Sequence, residues 1–556
     1  TQDLGDWVTK GLTVSIKGSF DAQNENNLGR TKTSPQWLAT GRNEAGELEF
    51  NQTQIGEENL SYKQTNKGYR SVYFEAVANW ARTFGKHDLS AMFLFQQSQK
   101  NYVGESANNS EKALPYRHQG IAGRITYNYD NRYFVEGNFG YNGSENFSPR
   151  HRFGFFPAGA VGWVLSEEKF FAPLRDVLDL VKFKASYGIV GNDQIGGDRR
   201  FIYNETINTS GGSYQFGTGN TTYTGLRLGN WANDSVGWEK AYKLNVGAEV
   251  SLFGKLRIQA DYFRERREGI FLQAASIPRF SGLSTSPWIN AGKMKNHGVD
   301  ASLEYHQTIG KVQLTVRGNF TYAHNTILDN DQPRWAEPYL NKIGQSNWQE
   351  YGLVAAGLFS SQEEIDAWPT QAWGEVHPGD IKYLDLNGDG KVDTYDCKPI
   401  GYPNVPEITY GFGASVKWKG FDFSVFNNTY TQPFTASSIS LSNVFTDLIG
   451  KYWSESNPDP NARYPRLTTS PNPNNSQKST FWMVNGRYMR LKNAEIGYSL
   501  PKQVVNKLRI DGLRIYVSGM NLLTFSDFKL WDPDLQTGAA NYPNNRVYNI
   551  GVSLIF

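Results

Sequence analysis

The sequence predicts an all-β chain: a transmembrane antiparallel β-barrel of about sixteen strands with long extracellular loops. Three observations predict it. The closing nonapeptide alternates apolar and small polar residues, aromatics make up 14% of the chain, and the connections are either very short or very long.

The closing nonapeptide comes first. Tyr548, Ile550, Val552, Leu554 and Phe556 fall on one face of a strand, and Asn549, Gly551 and Ser553 on the other. A strand with lipid on one side and water on the other needs this period-2 pattern. A final strand ending on an aromatic residue also resembles the terminal signal of bacterial outer-membrane barrels.

The same alternation recurs upstream. Val72, Phe74, Ala76, Ala78 and Trp80 share a face, with Tyr73, Glu75, Val77 and Asn79 on the other. Gly85-Lys86-His87 turns the chain into Leu89, Ala91, Phe93 and Phe95. Residues 121–129 and 133–141 form a hairpin across Asp130-Asn131, a pair suited to positive φ. Gly254-Lys255 and Lys419-Gly420 serve as further tight turns. The long connections are Gln23–Lys67, Asn192–Trp238, Asn325–Pro406 and Thr431–Tyr488. Short turns at one end and long loops at the other are the asymmetry of an outer-membrane barrel. The one helix-like piece is Ser360–Trp368, with Ser361 placed to cap its first turn.

The 31 Tyr, 33 Phe and 15 Trp suit aromatic girdles at two membrane interfaces. The 556 residues exceed a single soluble domain but not a single barrel. A formal net charge of +2 implies no nucleic-acid partner. Cys397, the single cysteine, excludes an internal disulfide and a cysteine-based zinc cluster. No apolar run is long enough for a membrane helix, which does not count against strands. The chain opens Thr1-Gln2-Asp3-Leu4, without Met or an apolar core, so a mature protein or a piece of a longer one is expected.

The sharpest local motif runs from Asp385 to Asp396. Asp385, Asn387, Asp389, Asp393 and Asp396 supply side-chain oxygens at loop positions 1, 3, 5, 9 and 12. Lys391 offers its backbone carbonyl at position 7, and Gly390 provides the sharp turn. Such spacing suits a structural Ca2+, because hard oxygen ligands converge on a hard cation. Asp396 has a shorter arm than the usual Glu, which points to weaker affinity. The competing reading is an acidic surface turn held by Asx bonds.

No catalytic constellation is present, so no enzyme is expected. The seven histidines are scattered, and no nucleophile elbow or Walker A sequence occurs. Arg264-Glu265-Arg266-Arg267-Glu268 is expected to end a strand at the water boundary. Among the loop aromatics, Trp335, Trp348, Trp368 and Trp373 are candidates for contact with sugar or peptide. Trp231 and Trp238 belong to the same group; the plain alternative is loop packing.

Four blocks, in order, resemble the SusC/RagA family of TonB-dependent outer-membrane transporters. The first is Ile121 to Tyr129, continuing through Asn131-Arg132-Tyr133 to Gly154-Phe155-Phe156-Pro157 and Gly162-Trp163. The second is Lys184 to Gly188, Gly191-Asn192 and Trp238-Glu239-Lys240. The third is Pro378 to Tyr383, leading to Ile400-Gly401-Tyr402-Pro403 and Tyr410-Gly411-Phe412. The fourth runs from Tyr488 to Asn493 through Asn521 to Thr524 and Asp532-Pro533 to Phe556.

The resemblance implies a barrel of roughly twenty-two strands around a plug. It implies a SusD-like surface lipoprotein as lid, energy from TonB, and glycan or peptide cargo. Residues 1–556 then form the C-terminal barrel part, in contact with outer-membrane lipid, and the plug, TonB box and first strands are not among them. The rival is a secreted, calcium-stabilised, β-rich glycan-binding module. A continuous lipid-facing belt at positions such as Phe74, Trp80, Phe93 and Phe95 separates the two. A passive porin is a third reading, disfavoured by the family blocks.

Overall fold

The computed structural model describes the chain apart from residues 1, 4–9, 196–198, 220, 284, 431–433, 436–448, 508 and 536–540. Sixteen long strands form one antiparallel sheet. They are β1 Leu12–Thr31, β2 Ser61–Phe84, β3 His87–Gly104, β4 Tyr116–Tyr129, β5 Tyr133–Ser144 and β6 Phe153–Val164. Next come β7 Leu178–Asn192, β8 Glu239–Leu252, β9 Leu256–Gln273, β10 Trp288–Ile309 and β11 Val312–Asp329. The last are β12 Ile408–Trp418, β13 Phe421–Tyr430, β14 Tyr488–Ser499, β15 Gly512–Ser526 and β16 Val547–Ile555. Each pairs with the next in sequence, a pure meander. Gln2–Asp3 adds a short pairing to β1. Among the described residues, no pairing joins β16 to β1.

The tight turns sit at one end of the sheet. Asp130 and Asn131 both adopt positive φ (54° and 56°), as a two-residue hairpin requires. Lys419 and Gly420 do the same at 47° and 90°. At the β8–β9 turn the positive pair is Phe253-Gly254, one residue earlier than expected, while Leu252 still faces Leu256. The opposite end carries the long connections.

One face of the sheet is an apolar belt. Val135, Val161, Ala185, Val246, Tyr262, Val299 and Tyr322 face each other in series across β5 to β11. Val416, Phe423, Ile496, Val517 and Ile550 continue the pattern from β12 to β16. Phe74 and Phe95 lie with ring centroids 6.4 Å apart, Phe93 faces Ala78, and Trp80 faces Ala91. Phe93 is 51% exposed and Ile550 82% exposed. Apolar side chains this open along one face of the sheet suit a lipid environment. A secreted module would present the whole belt to water, so that rival fails.

The other face is polar and ion-paired. Lys17 meets Glu75 at 3.2 Å, and Lys184 Nζ reaches Asp261 at 3.0 Å and Glu249 at 3.5 Å. Arg267 pairs with Glu239 and Glu265, and Arg514 with Asp422 and Glu495.

Further expectations need correction. The Gln23–Lys67 loop is largely strand: β1 and β2 stay paired out to Thr31 opposite Ser61. Beyond lipid neither face needs to be apolar, so Gln23 to Asn27 carry no alternation to read. The residual loop holds a hairpin of Gln36–Arg42 with Leu48–Gln54. Likewise, the charged run at 264–268 lies inside β9, which continues to Gln273. Tyr262 faces outward with Arg264 and Arg266 on the same side, so the belt ends there while the strand goes on. Two short helices beyond the expected one also occur, Ser110–Ala113 and Lys502–Lys507.

The belt makes a graded forecast. Phe93→Arg is expected to destabilise the folded barrel by about 2–4 kcal/mol, read from urea unfolding in detergent or lipid. The polar-face Glu75→Gln is expected to change it by less than about 1 kcal/mol. Equal effects would place lipid on neither face.

Candidate functional site

At the long-loop end, three connections fold onto one another. The β11–β12 loop supplies Leu353, Leu358, Ile381, Tyr383 and Val392 to a shared core. The β13–β14 loop adds Trp453, Tyr464 and Trp482, and the β15–β16 loop adds Phe528. A second cluster unites Phe147, Ile195, Ile202, Val236 and Phe271, with Trp238 and Trp288 against it.

Asp380 is the hub of the first layer. It is fully buried and accepts a two-pronged pair from Arg466, Nε at 2.7 Å and Nη2 at 3.1 Å. Asn472 and Asn475 donate at 3.0 and 2.8 Å, and the His377 N–H at 2.9 Å. A buried carboxylate is tolerable only when its oxygens are satisfied in this way. Asn475 Oδ1 accepts from the Ile381 N–H, and Gln371 bridges Tyr383 N–H to Asn474. Gly379 (φ 88°) precedes Asp380, and a Cβ there would lie 2.2 Å from the Trp453 ring. The Pro378–Tyr383 block is therefore a folding hub. Sequence reading noticed its resemblance, not its partners: Arg466, Asn472 and Asn475 lie about ninety residues away and carry no local signal.

The helix Gln362–Ala367 forms where expected. Ser361 Oγ accepts from the Glu364 N–H at 3.3 Å, and Glu364 Oε2 takes the Ser360 N–H at 2.7 Å.

The 385–396 loop closes through its own backbone. Asp385 accepts from the Gly388 and Gly390 N–H groups at 2.7 and 2.8 Å, with both glycines at positive φ. Asn387 takes the Asp389 N–H and Asp389 the Lys391 N–H. Asp393 accepts from the Tyr395 N–H, which holds its carboxyl below the usual range, and pairs with Lys391 Nζ at 3.1 Å. Asp396 is fully buried and accepts from the Leu386 and Asp393 N–H groups at 2.7 Å each. The carboxylates are thus turned onto N–H groups. Among the described residues, no group of three His, Cys, Asp or Glu side chains is arranged around a common point for a metal. Two features nevertheless suit a cation: the donors are all oxygen, and the field around them is negative. Tyr339 reports that field. Among the described residues its buried hydroxyl has no hydrogen-bond partner, and burial, with Glu337, Asp396, Asp385 and Asp389 nearby, pushes its pKa up to about 12.

The candidate tryptophans separate. Trp368 donates to the Tyr383 carbonyl at 2.8 Å, and Trp373 packs edge-on against the Tyr383 ring. Trp238 sits between Phe147 and Phe156. These three serve the loop core. Trp335 and Trp348 are exposed.

A polar cavity of about 730 Å³ opens on the inner face where β2, β3 and β4 meet the loops. Its wall includes Ser71, Ser98, Lys100, Tyr102, Arg199 and Arg200. Sequence reading did not find it, because it is assembled from segments more than a hundred residues apart.

Comparison with known proteins fits these features. A family model described as TonB dependent receptor-like, beta-barrel matches residues 2–522. The TonB-dependent receptor P3 of Formosa agariphila is 26% identical across 98% of this chain and 56% of its own length. The TonB-dependent receptor SusC of Bacteroides thetaiotaomicron is 25% identical across 78% of this chain and 43% of its own length. Among solved structures, the RagAB peptide transporter superposes with a TM-score of 0.71 at 21% identity, over 98% of this chain and 60% of that one. The chain spans about half the length of the curated relatives it matches.

The hub gives a stability forecast. Arg466→Ala leaves the Asp380 carboxylate buried and short of its cation, and is expected to cost the loop layer about 3–5 kcal/mol. Hydrogen exchange should then rise around Ile381 to Tyr383 while the strands stay protected. Unchanged exchange in the loop would remove Asp380 as hub.

Proposed function

The chain belongs to the TonB-dependent receptor-like β-barrel family, and on that premise we propose that it forms the barrel wall of a SusC-like importer. The cargo is an oligomeric nutrient, glycan or peptide. TonB supplies the energy through a plug outside residues 1–556, and a SusD-like lipoprotein acts as lid. The location is the outer membrane, where the belt meets lipid. One observation carries the reading: the family match runs along a sheet whose outer face suits lipid and whose inner face is hydrophilic. A hydrophilic, ion-paired lumen suits passage of polar cargo, and a folded loop layer offers a firm seat for a lid. No reaction is assigned to the chain.

The test uses cells carrying the full-length protein and its lid gene. Uptake of a labelled glycan or peptide pool is expected to fall to background on deleting either TonB or the lid. Uptake indifferent to TonB would point to a passive pore and remove the reading.

A structural calcium ion at the 385–396 loop belongs to the same proposal. Asp385, Asn387, Asp389, Asp393 and Asp396 would supply side-chain oxygens and Lys391 its carbonyl. Bound calcium would neutralise the acidic loop and stiffen it. Saturating calcium is expected to stabilise the loop by about 2–3 kcal/mol at roughly a hundredfold excess over its dissociation constant. Limited proteolysis within 330–407 should therefore accelerate on adding a chelator. Asp385→Ala with Asp389→Ala should abolish that response. A wild-type digest indifferent to chelator would remove the metal.

A further inference from the structure

The run Arg264-Glu265-Arg266-Arg267-Glu268 lies in β9, beyond Tyr262, where the belt ends on that strand. Strand alternation divides the run between two faces. Glu265 and Arg267 turn to the inner face. There they pair with each other at 2.8 Å, Glu265 also with Lys243 at 3.3 Å and Arg267 with Glu239 at 3.0 Å. The inner half of the run is thus neutralised. Arg264, Arg266 and Glu268 fall on the outer face with Tyr262.

The outer half is not neutralised. On β10, His297 faces Arg264, Lys295 faces Arg266 and Lys293 faces Glu268. On β8, Lys240 faces Glu268. Among the described residues, five permanent cations therefore share this outer patch: Lys240, Arg264, Arg266, Lys293 and Lys295. Two carboxylates reach them, Glu268 at 2.8 Å from Arg266 and Asp329 at 3.6 Å from Lys293. Glu407, on the β11 side, is taken by His324 at 2.7 Å. Lys240, Arg264 and Lys295 have no carboxylate partner among the described residues. The register sharpens this. Arg266 and Lys295 stand directly opposite each other on paired strands, where like charges repel and destabilise the pair. Glu268 answers Arg266, so Lys295 faces a cation with no carboxylate of its own.

Position says what kind of anion arrives here. Tyr262, Val299 and Tyr322 form one row of the belt. Arg264 lies two residues beyond it and Arg266 four, which at ~3.3 Å per residue and a strand tilt of about 40° is about 5 and 10 Å past the row. A bilayer's headgroup layer is about 5–8 Å deep on each side, and Arg and Lys side chains are long enough to aim into it. The patch also lies at the long-loop end of the sheet, the end that looks out from the cell in an outer-membrane barrel. Arg forks and Lys point charges are the groups that hold phosphate. A second copy of this chain is a poor occupant, because a two-fold contact centred here would set these cations against themselves. We infer that Arg264, Arg266 and Lys295 hold the phosphorylated headgroup of a lipid in the outer leaflet. The inference rests on the outer-membrane location alone. Cargo, lid and TonB play no part in it, so it and the importer reading fail separately.

The test uses the full-length protein with its lid lipoprotein, delipidated in nonionic detergent and titrated with lipid under native mass spectrometry. The probes are bisphosphorylated lipid A, phosphatidylethanolamine and inorganic phosphate. Lipid A is expected to bind about tenfold tighter than phosphatidylethanolamine, the gain of one charge-assisted contact, and to resist displacement by excess inorganic phosphate. Lys295→Gln and Arg264→Gln are each expected to weaken lipid A about tenfold, the loss of one such contact. Arg70→Gln is the control: Arg70 is an outer-face cation of β2 whose partners across the strands, Ala22 and Asn101, are uncharged, and its loss is expected to leave binding unchanged. Without lipid, Lys295→Gln relieves the repulsion from Arg266 and is expected to be no less stable than wild type in urea. Equal binding of the two lipids, binding unchanged by both variants, an equal loss in Arg70→Gln, or displacement by inorganic phosphate would overturn the site. So would a Lys295→Gln variant less stable than wild type without lipid, since a protein partner would then already hold that side chain.

Discussion

The whole structure depends on one constraint: within lipid, every backbone N–H and C=O must find a partner inside the protein. Between neighbours the sixteen-strand meander meets it, each strand giving its hydrogen bonds to the strands beside it in sequence, while among the described residues β1 and β16 do not pair with each other. Once the backbone is tied up in a ladder, side chains alternate between two solvents. The outer rows then have to be Val, Phe, Tyr and Ile, and the inner rows are free to carry charge. Where lipid ends, the ladder continues without that demand. The outer ends of β1 and β2 are almost wholly polar and still paired, and β9 runs on past Arg264 and Arg266.

The loops face the opposite problem. They have neither lipid nor a ladder to order them, so they must build a core of their own. Leu353, Tyr383, Trp453, Trp482 and Phe528 supply it from three connections. Asp380 then locks two of those connections through Arg466, Asn472 and Asn475. A fully satisfied buried carboxylate specifies one arrangement, because any shift leaves charge uncompensated. A long, polar connection thereby becomes a fixed surface rather than a mobile tether.

The barrel was legible in the sequence because lipid imposes a two-residue period and turns impose positive φ. Asp130-Asn131 and Lys419-Gly420 were readable from residue type, and Tyr548 to Phe556 from alternation. The β1–β2 extension was not, since strands in water on both faces carry no period. The loop hub was visible as a family-like block but not as a mechanism. Its partners lie far off in sequence, and nothing local marks Arg466 as the cation for Asp380. The acidic loop was legible in spacing, yet the structure turns its carboxylates onto N–H groups. The inner cavity was invisible, because no single segment holds more than a few of its residues.

Charge on the inner face follows from the same ladder. A cation placed in a partly desolvated lumen raises the energy of the fold unless something offsets it. On the inner face of the sheet a carboxylate on a neighbouring strand does so, as Glu249 does for Lys184 and Glu495 for Arg514. Lys17 and Glu75 repeat the arrangement on β1 and β2. Side chains directly opposite or diagonal to one another across paired strands are held within reach, so the register that satisfies the backbone also sets which charges can meet.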